Sequence, residues 1–238
     1  MRNEKMRQYL QLIIDNQARP RDFRAEGDGA VGKIYLYDII DPWWGVSAAD
    51  VAGALDAMGG KDVDLFINSP GGDVFEARAI YSRLKGYSGT VRAHIDGLAA
   101  SAATTVAMGA NSRSMTDGAF FMIHNSWTLA FGDKNVFGKT AALLDQIDGA
   151  IAKDYVAATV LGIEEIQSMM DDETWLSAAD AKTYGLVDDV KEEVEAKNTK
   201  TWNLSAYQNA PDELISPPNE QPDRGRLLRY LDMLERIA

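Results

Sequence analysis

The chain has 238 residues, a net charge of −12 and no cysteine. That excess of acid argues against nucleic acid as a general partner. The missing thiols rule out disulfides, thiolate metal sites and cysteine nucleophiles together. With 46% of its residues apolar, the chain can bury a substantial core.

In chain order, residues 1–30 read as a polar lead with one short helix expected at Glu4 to Ile14. The opening MRNEKMRQYLQLIIDNQARPRDFRAEG is charged throughout and has no signal-peptide apolar core, so a cytoplasmic location is expected. Residues 31–194 alternate strand and helix signals. KIYLYDII reads as a strand, DPWWG as a turn, and SAADVAGALDAMGG as a helix capped by Ser47 and closed by glycines. VDLFINSPGG is a buried strand entering a Pro-Gly-Gly turn, with the amphipathic helix DVFEARAIYSRLKGY behind it. TVRAHIDG is a strand leading to an Ala-rich helix that contains Ser101. SRSMTDGAFFMIH reads as a turn and then a strand. Apolar residues at helical spacing predict a long helix over Gly138 to Leu161, followed by the Ser177-capped helix SAADAKTYG and the strand LVDDV. Strands alternating with helices predict an α/β domain with a mostly parallel sheet. Residues 195–222 then form a Pro-rich polar arm, and residues 223–238 an amphipathic C-terminal helix, read equally as folding back or as docking on a neighbour. The longest apolar stretch, Val91 to Ala110, is broken by Arg92, His94, Asp96 and Ser101, which excludes a membrane span.

Three features carry chemistry. Ser101 is the single serine among small side chains, in DGLAASAATTVAMGA. A serine nucleophile needs a general base, and the chain has only two histidines. His94 alternates with apolar neighbours inside a strand and reads as structural. His124 ends AFFMIH, where a strand leaves the core, which is where open α/β folds place their sites. The third feature is INSPGGDVFEA, whose Gly71 and Gly72 allow a sharp turn that leaves N–H groups free to face a ligand. Two separated histidines and no cysteine give no metal-ligand cluster, and no phosphate-binding G-x-x-x-x-G-K-[ST] motif occurs. No cofactor or metal is expected. Trp43, Trp44 and Trp127 are expected in the core, and Phe131 to Phe137 as a mobile segment beside His124.

SPGGDVFEARAIY, GLAASAAT, MIHNS and ETWLSAADAKTYGLVDDV follow one another in the order and approximate spacing of the ClpP-type serine peptidases, family S14. The resemblance spans Lys33 to Val190. It implies a ClpP/crotonase-like fold of repeated ββα units, assembled as ring homo-oligomers with the long helix as a handle between rings. It also implies Ser101 as nucleophile, His124 as base, and an oxyanion hole from the N–H groups of Gly72 and Ala102. Where the family has an aspartate, alignment on Trp175 to Ala178 places Glu173, with the neighbouring Asp172 as the alternative third member. IYLYDIIDPWWGVSAADVAGAL and the DVFE and ETW variants most resemble the ClpP-related head maturation proteases of tailed phages. That likeness implies capsid, scaffold or portal proteins as substrates, in a bacterial or phage-infected host cytoplasm. The rival readings are a cellular ATP-dependent Clp subunit working with an unfoldase ATPase, a crotonase-type acyl-CoA enzyme, and an inactive assembly protein.

Overall fold

The computed structural model describes residues 11–12, 14–192, 202–205, 207–211 and 214. The chain divides into two units, Arg21–Asn198 and a second one that takes in Met1–Pro20 and Thr199–Ala238. In the second unit, residues 14–17 are helical. The Asn16 amide donates to the Asn203 carbonyl at 3.0 Å and its oxygen accepts the Asn203 N–H at 2.9 Å. The guanidinium of Arg19 lies over the Trp202 ring. Most of the expected Glu4 to Ile14 helix, and all of the expected C-terminal helix, lie outside the described residues.

Eight strands form one sheet in the larger unit: β1 (Phe23–Glu26), β2 (Gly32–Leu36), β3 (Val63–Ser69), β4 (Val91–Ala100), β5 (Ser112–Thr116), β6 (Phe120–Ile123), β7 (Thr174–Ser177) and β8 (Asp189–Lys191). Among the described residues of this unit six helices accompany them: α1 (Ala48–Met58), α2 (Val74–Lys85), α3 (Ala102–Met108), α4 (Lys134–Ala158), α5 (Ile163–Asp171) and α6 (Ala178–Thr183). The order β1-β2-β3-β4-β5-β8 is parallel except for β1, which runs antiparallel to β2. The alternation predicted from sequence is realised as a mostly parallel α/β sheet, one face of which is sealed by the helices over Ile34, Leu36, Leu65, Ile67, Ala93 and Ile95.

Strand β4 forks the sheet, and the fork makes the site. Its first half, Arg92 to Ile95, pairs with β5; its second half, Leu98 to Ala100, pairs with β6. A register irregularity against β3 between Ile67 and Ser69 marks the bend. Strand β7 then adds antiparallel to β6.

Several boundaries differ from the sequence reading. Strand β4 runs on to Ala100, so Ser101 stands at the junction before α3 rather than inside an Ala-rich helix. Runs of alanine suit a strand when both faces are buried, and Leu98, Ala99 and Ala100 are. SRSMT is strand β5 and not a turn. The antiparallel β1 lies in the stretch read as a polar lead, where its mostly exposed FRAE pattern carries no apolar alternation. Helix α4 starts at Lys134 because the Asp133 carboxylate accepts from the N–H groups of Asn135 and Val136. The last four residues of the segment expected to be mobile, Lys134 to Phe137, are therefore helical. Trp43, Trp44 and Trp127 are exposed, not core. The first two sit on a turn held by their N–H groups donating to the Asp41 carboxylate.

Candidate active site

Each functional side chain arrives by strand register. Ala100 pairs with Met122 in the parallel β4–β6 ladder. Ser101 N–H then donates to the Met122 carbonyl at 2.9 Å, which fixes the residue after β4 beside the end of β6. His124 is two residues beyond Met122, and its Nε2 stands 2.8 Å from Ser101 Oγ. In the antiparallel β6–β7 ladder Ile123 pairs with Thr174. One step outward along that register brings Glu173 opposite His124.

The turn from β4 into α3 is sharp. Ser101 has φ 54°, in the left-handed region where a non-glycine residue costs about 1–3 kcal/mol. Its carbonyl accepts the Thr104 N–H at 2.9 Å. Ala102 is the first residue of α3, so its N–H has no acceptor within the helix.

The glycine turn lies against this elbow. Gly71 has φ 91°, and a Cβ there would sit 2.5 Å from the Ala100 carbonyl oxygen and 2.9 Å from Ser101 Cβ. Ile40 N–H donates to the Gly71 carbonyl at 2.9 Å, and Asp73 N–H to the Ile40 carbonyl at 2.7 Å. This parallel bridge uses the groups on either side of Gly72 and turns the Gly72 N–H away from Ile40. A Cβ on Gly72 would meet the Ile40 oxygen at 2.1 Å, so only glycine lets the chain cross there.

Glu173 is 7% exposed, has φ 50°, and accepts from Trp175 Nε1 at 3.2 Å through Oε1. Burial pushes the His124 imidazole down from 6.5 to about 4, while the negative charge of Glu173 opposes that shift. The ring is neutral at pH 7. For Nε2 to accept the Ser101 hydroxyl, as a base must, the neutral ring has to carry its proton on Nδ1. Asp172 is the C-cap residue of α5 and is exposed, its N–H donating to the Ser168 carbonyl. Of the two acids flagged in the sequence, Glu173 is thus the buried one acting on the histidine.

The remaining supports have no sequence signal of their own. Asn125 N–H donates to the Met170 carbonyl and its side-chain amide to Asp171 at 2.6 Å. Ser126 N–H donates to the Asp148 carboxylate of α4 at 2.7 Å. Together they tie the segment after His124 to α5 and α4. Asn125 stands within MIHNS, but only register shows what it holds.

His94, read as structural, is far along β4 from the elbow. Its ring stacks on Phe66, which stacks on Tyr35. Nδ1 is 2.7 Å from Ser114 Oγ, and Nε2 is 3.3 Å from an Asp64 oxygen. Among the described residues no group of three or more His, Asp or Glu side chains has metal-binding geometry, and no helix is long and apolar enough to cross a membrane.

Residues 50–194 match the family model described as Clp protease. An ATP-dependent Clp protease proteolytic subunit from Bacteroides fragilis is 29% identical over 133 residues, which cover 55% of this chain and 64% of that one. Its counterpart from Streptococcus pyogenes serotype M5 is 29% identical over 151 residues, 58% of this chain and 72% of the relative. The chain thus spans a little under two thirds of the Bacteroides subunit it matches. A ClpP1 mutant from Listeria monocytogenes shares the fold, with a TM-score of 0.60 at 24% identity over 77% of this chain and 96% of that one. The fold is ClpP-like α/β. With the family model matching well over half its length, the chain belongs to the Clp protease family.

Proposed function

We propose that the chain is a serine endopeptidase in which Ser101 is the nucleophile, His124 the general base and Glu173 the acid that orients the imidazole. The observation that carries this reading is the 2.8 Å contact between His124 Nε2 and Ser101 Oγ at a left-handed strand-to-helix elbow. His124 takes the hydroxyl proton as Oγ bonds to the carbonyl carbon of the scissile peptide. The carbonyl oxygen becomes an oxyanion held by the N–H groups of Gly72 and Ala102, with the start of α3 behind it. The imidazolium, steadied by Glu173, gives its proton to the leaving nitrogen as the C–N bond breaks. Water, deprotonated by His124, then attacks the acyl-serine and releases the second product.

The narrower role is head maturation: cleavage of capsid, scaffold or portal proteins encoded with this chain. Its support is the phage-like wording of IYLYDIIDPWWGVSAADVAGAL, DVFE and ETW, realised here as β2 to α1, the start of α2, and the Glu173–Trp175 pair. Ring assembly is part of the proposal. The outer half of α4 exposes Val136, Phe137 and Leu143, an apolar stripe suited to a second copy. The second reading is a subunit that works with an unfoldase ATPase, favoured by the names of the relatives from Bacteroides and Streptococcus.

Incubating the chain with its co-encoded capsid and scaffold proteins, with and without an unfoldase and ATP, separates the two. Maturation predicts discrete cleavage products without ATP, absent in Ser101→Ala. Degradation only with the ATPase supports the second reading. Substrate left intact in both arms contradicts the peptidase proposal.

A further inference from the structure

Two hydroxyls are buried in the apolar layer beneath the nucleophile where hydrocarbons would fill the same volume. Thr104, on the first turn of α3, is 0% exposed, and Tyr155, on the inner face of α4, is 2% exposed. Their neighbours Ala103, Val106, Ala107, Ile151 and Ala152 are all buried and apolar. A hydroxyl in such a place is costly without a partner, and both have one. Thr104 Oγ1 donates to the Ser101 carbonyl at 2.5 Å. Tyr155 Oη is hydrogen-bonded to Thr104 Oγ1. Since the single threonine proton goes to the carbonyl, the tyrosine donates to the threonine. Burial raises the Tyr155 hydroxyl above its ordinary pKa, so it stays a donor throughout the working pH range.

The carbonyl at the end of this chain belongs to the one residue whose backbone sets the nucleophile. Ser101 is held on one side by its N–H to Met122 and on the other by the two Thr104 bonds to its carbonyl. Left-handed φ at a non-glycine residue persists only when the surroundings enforce it. We propose that Tyr155 and Thr104 form a hydroxyl relay from α4 that locks the Ser101 peptide in its left-handed conformation, making Tyr155 a positioning residue for the nucleophile. Tyr155 lies 54 positions along the chain from Ser101 and touches no reacting atom. The proposal rests on Ser101 being the nucleophile.

The test is the second-order rate at which a fluorophosphonate modifies Ser101, followed by intact mass across pH, with Tm and assembly size measured on the same samples. Tyr155→Phe and Thr104→Val each lower the rate about 10-fold, as small misplacements of a reacting group do, and leave the pH of the acid limb unchanged. Thr104→Ser loses a buried methyl and lowers Tm, yet keeps the rate within about 2-fold, because its hydroxyl is retained. The Tyr155→Phe/Thr104→Val double variant is no slower than the slower single, since both break one chain. Should Tyr155→Phe fail to fold, the contrast between Thr104→Val and Thr104→Ser decides alone. Wild-type rates in Tyr155→Phe or Thr104→Val, rates that track Tm across the set, or effects that multiply in the double variant overturn the relay. Failure of the wild type to react, or equal reaction in Ser101→Ala, instead refutes the nucleophile itself and removes the relay with it.

Discussion

The molecule contains two serine–histidine–acid groupings, one at each half of β4, and they share a serine, a histidine and a carboxylate but differ in their setting. At the first half, His94 lies between Ser114 and Asp64 in the middle of three parallel strands. At the second, His124 lies at the end of β6 beside Ser101, with Glu173 across the β6–β7 register. Ser114 sits in regular strand with its backbone groups committed to the ladder, whereas Ser101 sits on an elbow next to a helix start and a glycine turn. In the first grouping, burial opposes ionisation of Asp64, but hydrogen bonds and charge from Arg92 and His94 hold its carboxyl below the usual range. That is a structural network bound to a sheet face. Three residue types in contact do not make a hydrolytic site, which also needs amides aimed at the oxyanion and access for substrate, and only the grouping at Ser101 has a helix start and a glycine turn beside it.

Removing the proposed nucleophile gives the largest contrast. Ser101→Ala and His124→Gln each lower peptide hydrolysis by at least about 10⁴-fold, whereas Ser114→Ala and His94→Gln stay within roughly 3-fold, as changes away from reacting atoms do. Comparable losses at both groupings, read in one peptidase assay, would erase the distinction drawn here.

Glu173→Gln comes next, with a loss of about 10² to 10⁴-fold, while Asp172→Asn changes little. The sign of its pH effect is fixed. The Glu173 charge raises the His124 pKa, so its removal moves the acid limb of the rate profile to lower pH even as the rate falls. A limb that moves upward contradicts the assignment of Glu173.

Gly71→Ala places a methyl 2.5 Å from the Ala100 carbonyl oxygen, so backbone at the elbow must shift, and at φ 91° the alanine is strained as well. Chemical denaturation is expected to show a loss of about 2–4 kcal/mol, with reactivity of Ser101 lost in the folded fraction.

The smallest effect is on stability against pH. His124 is held near 4 in the folded chain against 6.5 ordinarily, so the unfolded chain takes up the proton first. Stability is unaffected by this group above about pH 6.5 and declines as pH falls from there toward 4. In His124→Gln the fall in Tm across that window becomes shallower.

How much of this was legible in the sequence follows from what each signal depends on. Local chemistry was: the Ser47 and Ser177 caps occur where hydroxyls precede the apolar periodicity. The mostly parallel sheet followed from alternation alone. His124 stood out because the chain has only two histidines, Ser101 because it is the single serine in an Ala- and Gly-rich run, and their motifs resembled a family in register. What the sequence hid was set by tertiary pairing. β1 has no apolar alternation because it is an exposed edge, and the alanines before Ser101 are strand only because β3 and β6 flank them. Alignment on Trp175 to Ala178 favoured Glu173 with Asp172 as the alternative, but that Glu173 lies opposite His124 is visible only in the β6–β7 register; the Tyr155–Thr104 bond joins residues 51 positions apart, beyond any local pattern.

The most direct measurement of the central claim is peptide mapping after reaction with a fluorophosphonate. One adduct is expected, on the peptide carrying Ser101, which disappears in His124→Gln and persists in His94→Gln. An adduct on Ser114, or modification of Ser101 that is indifferent to His124, would contradict it.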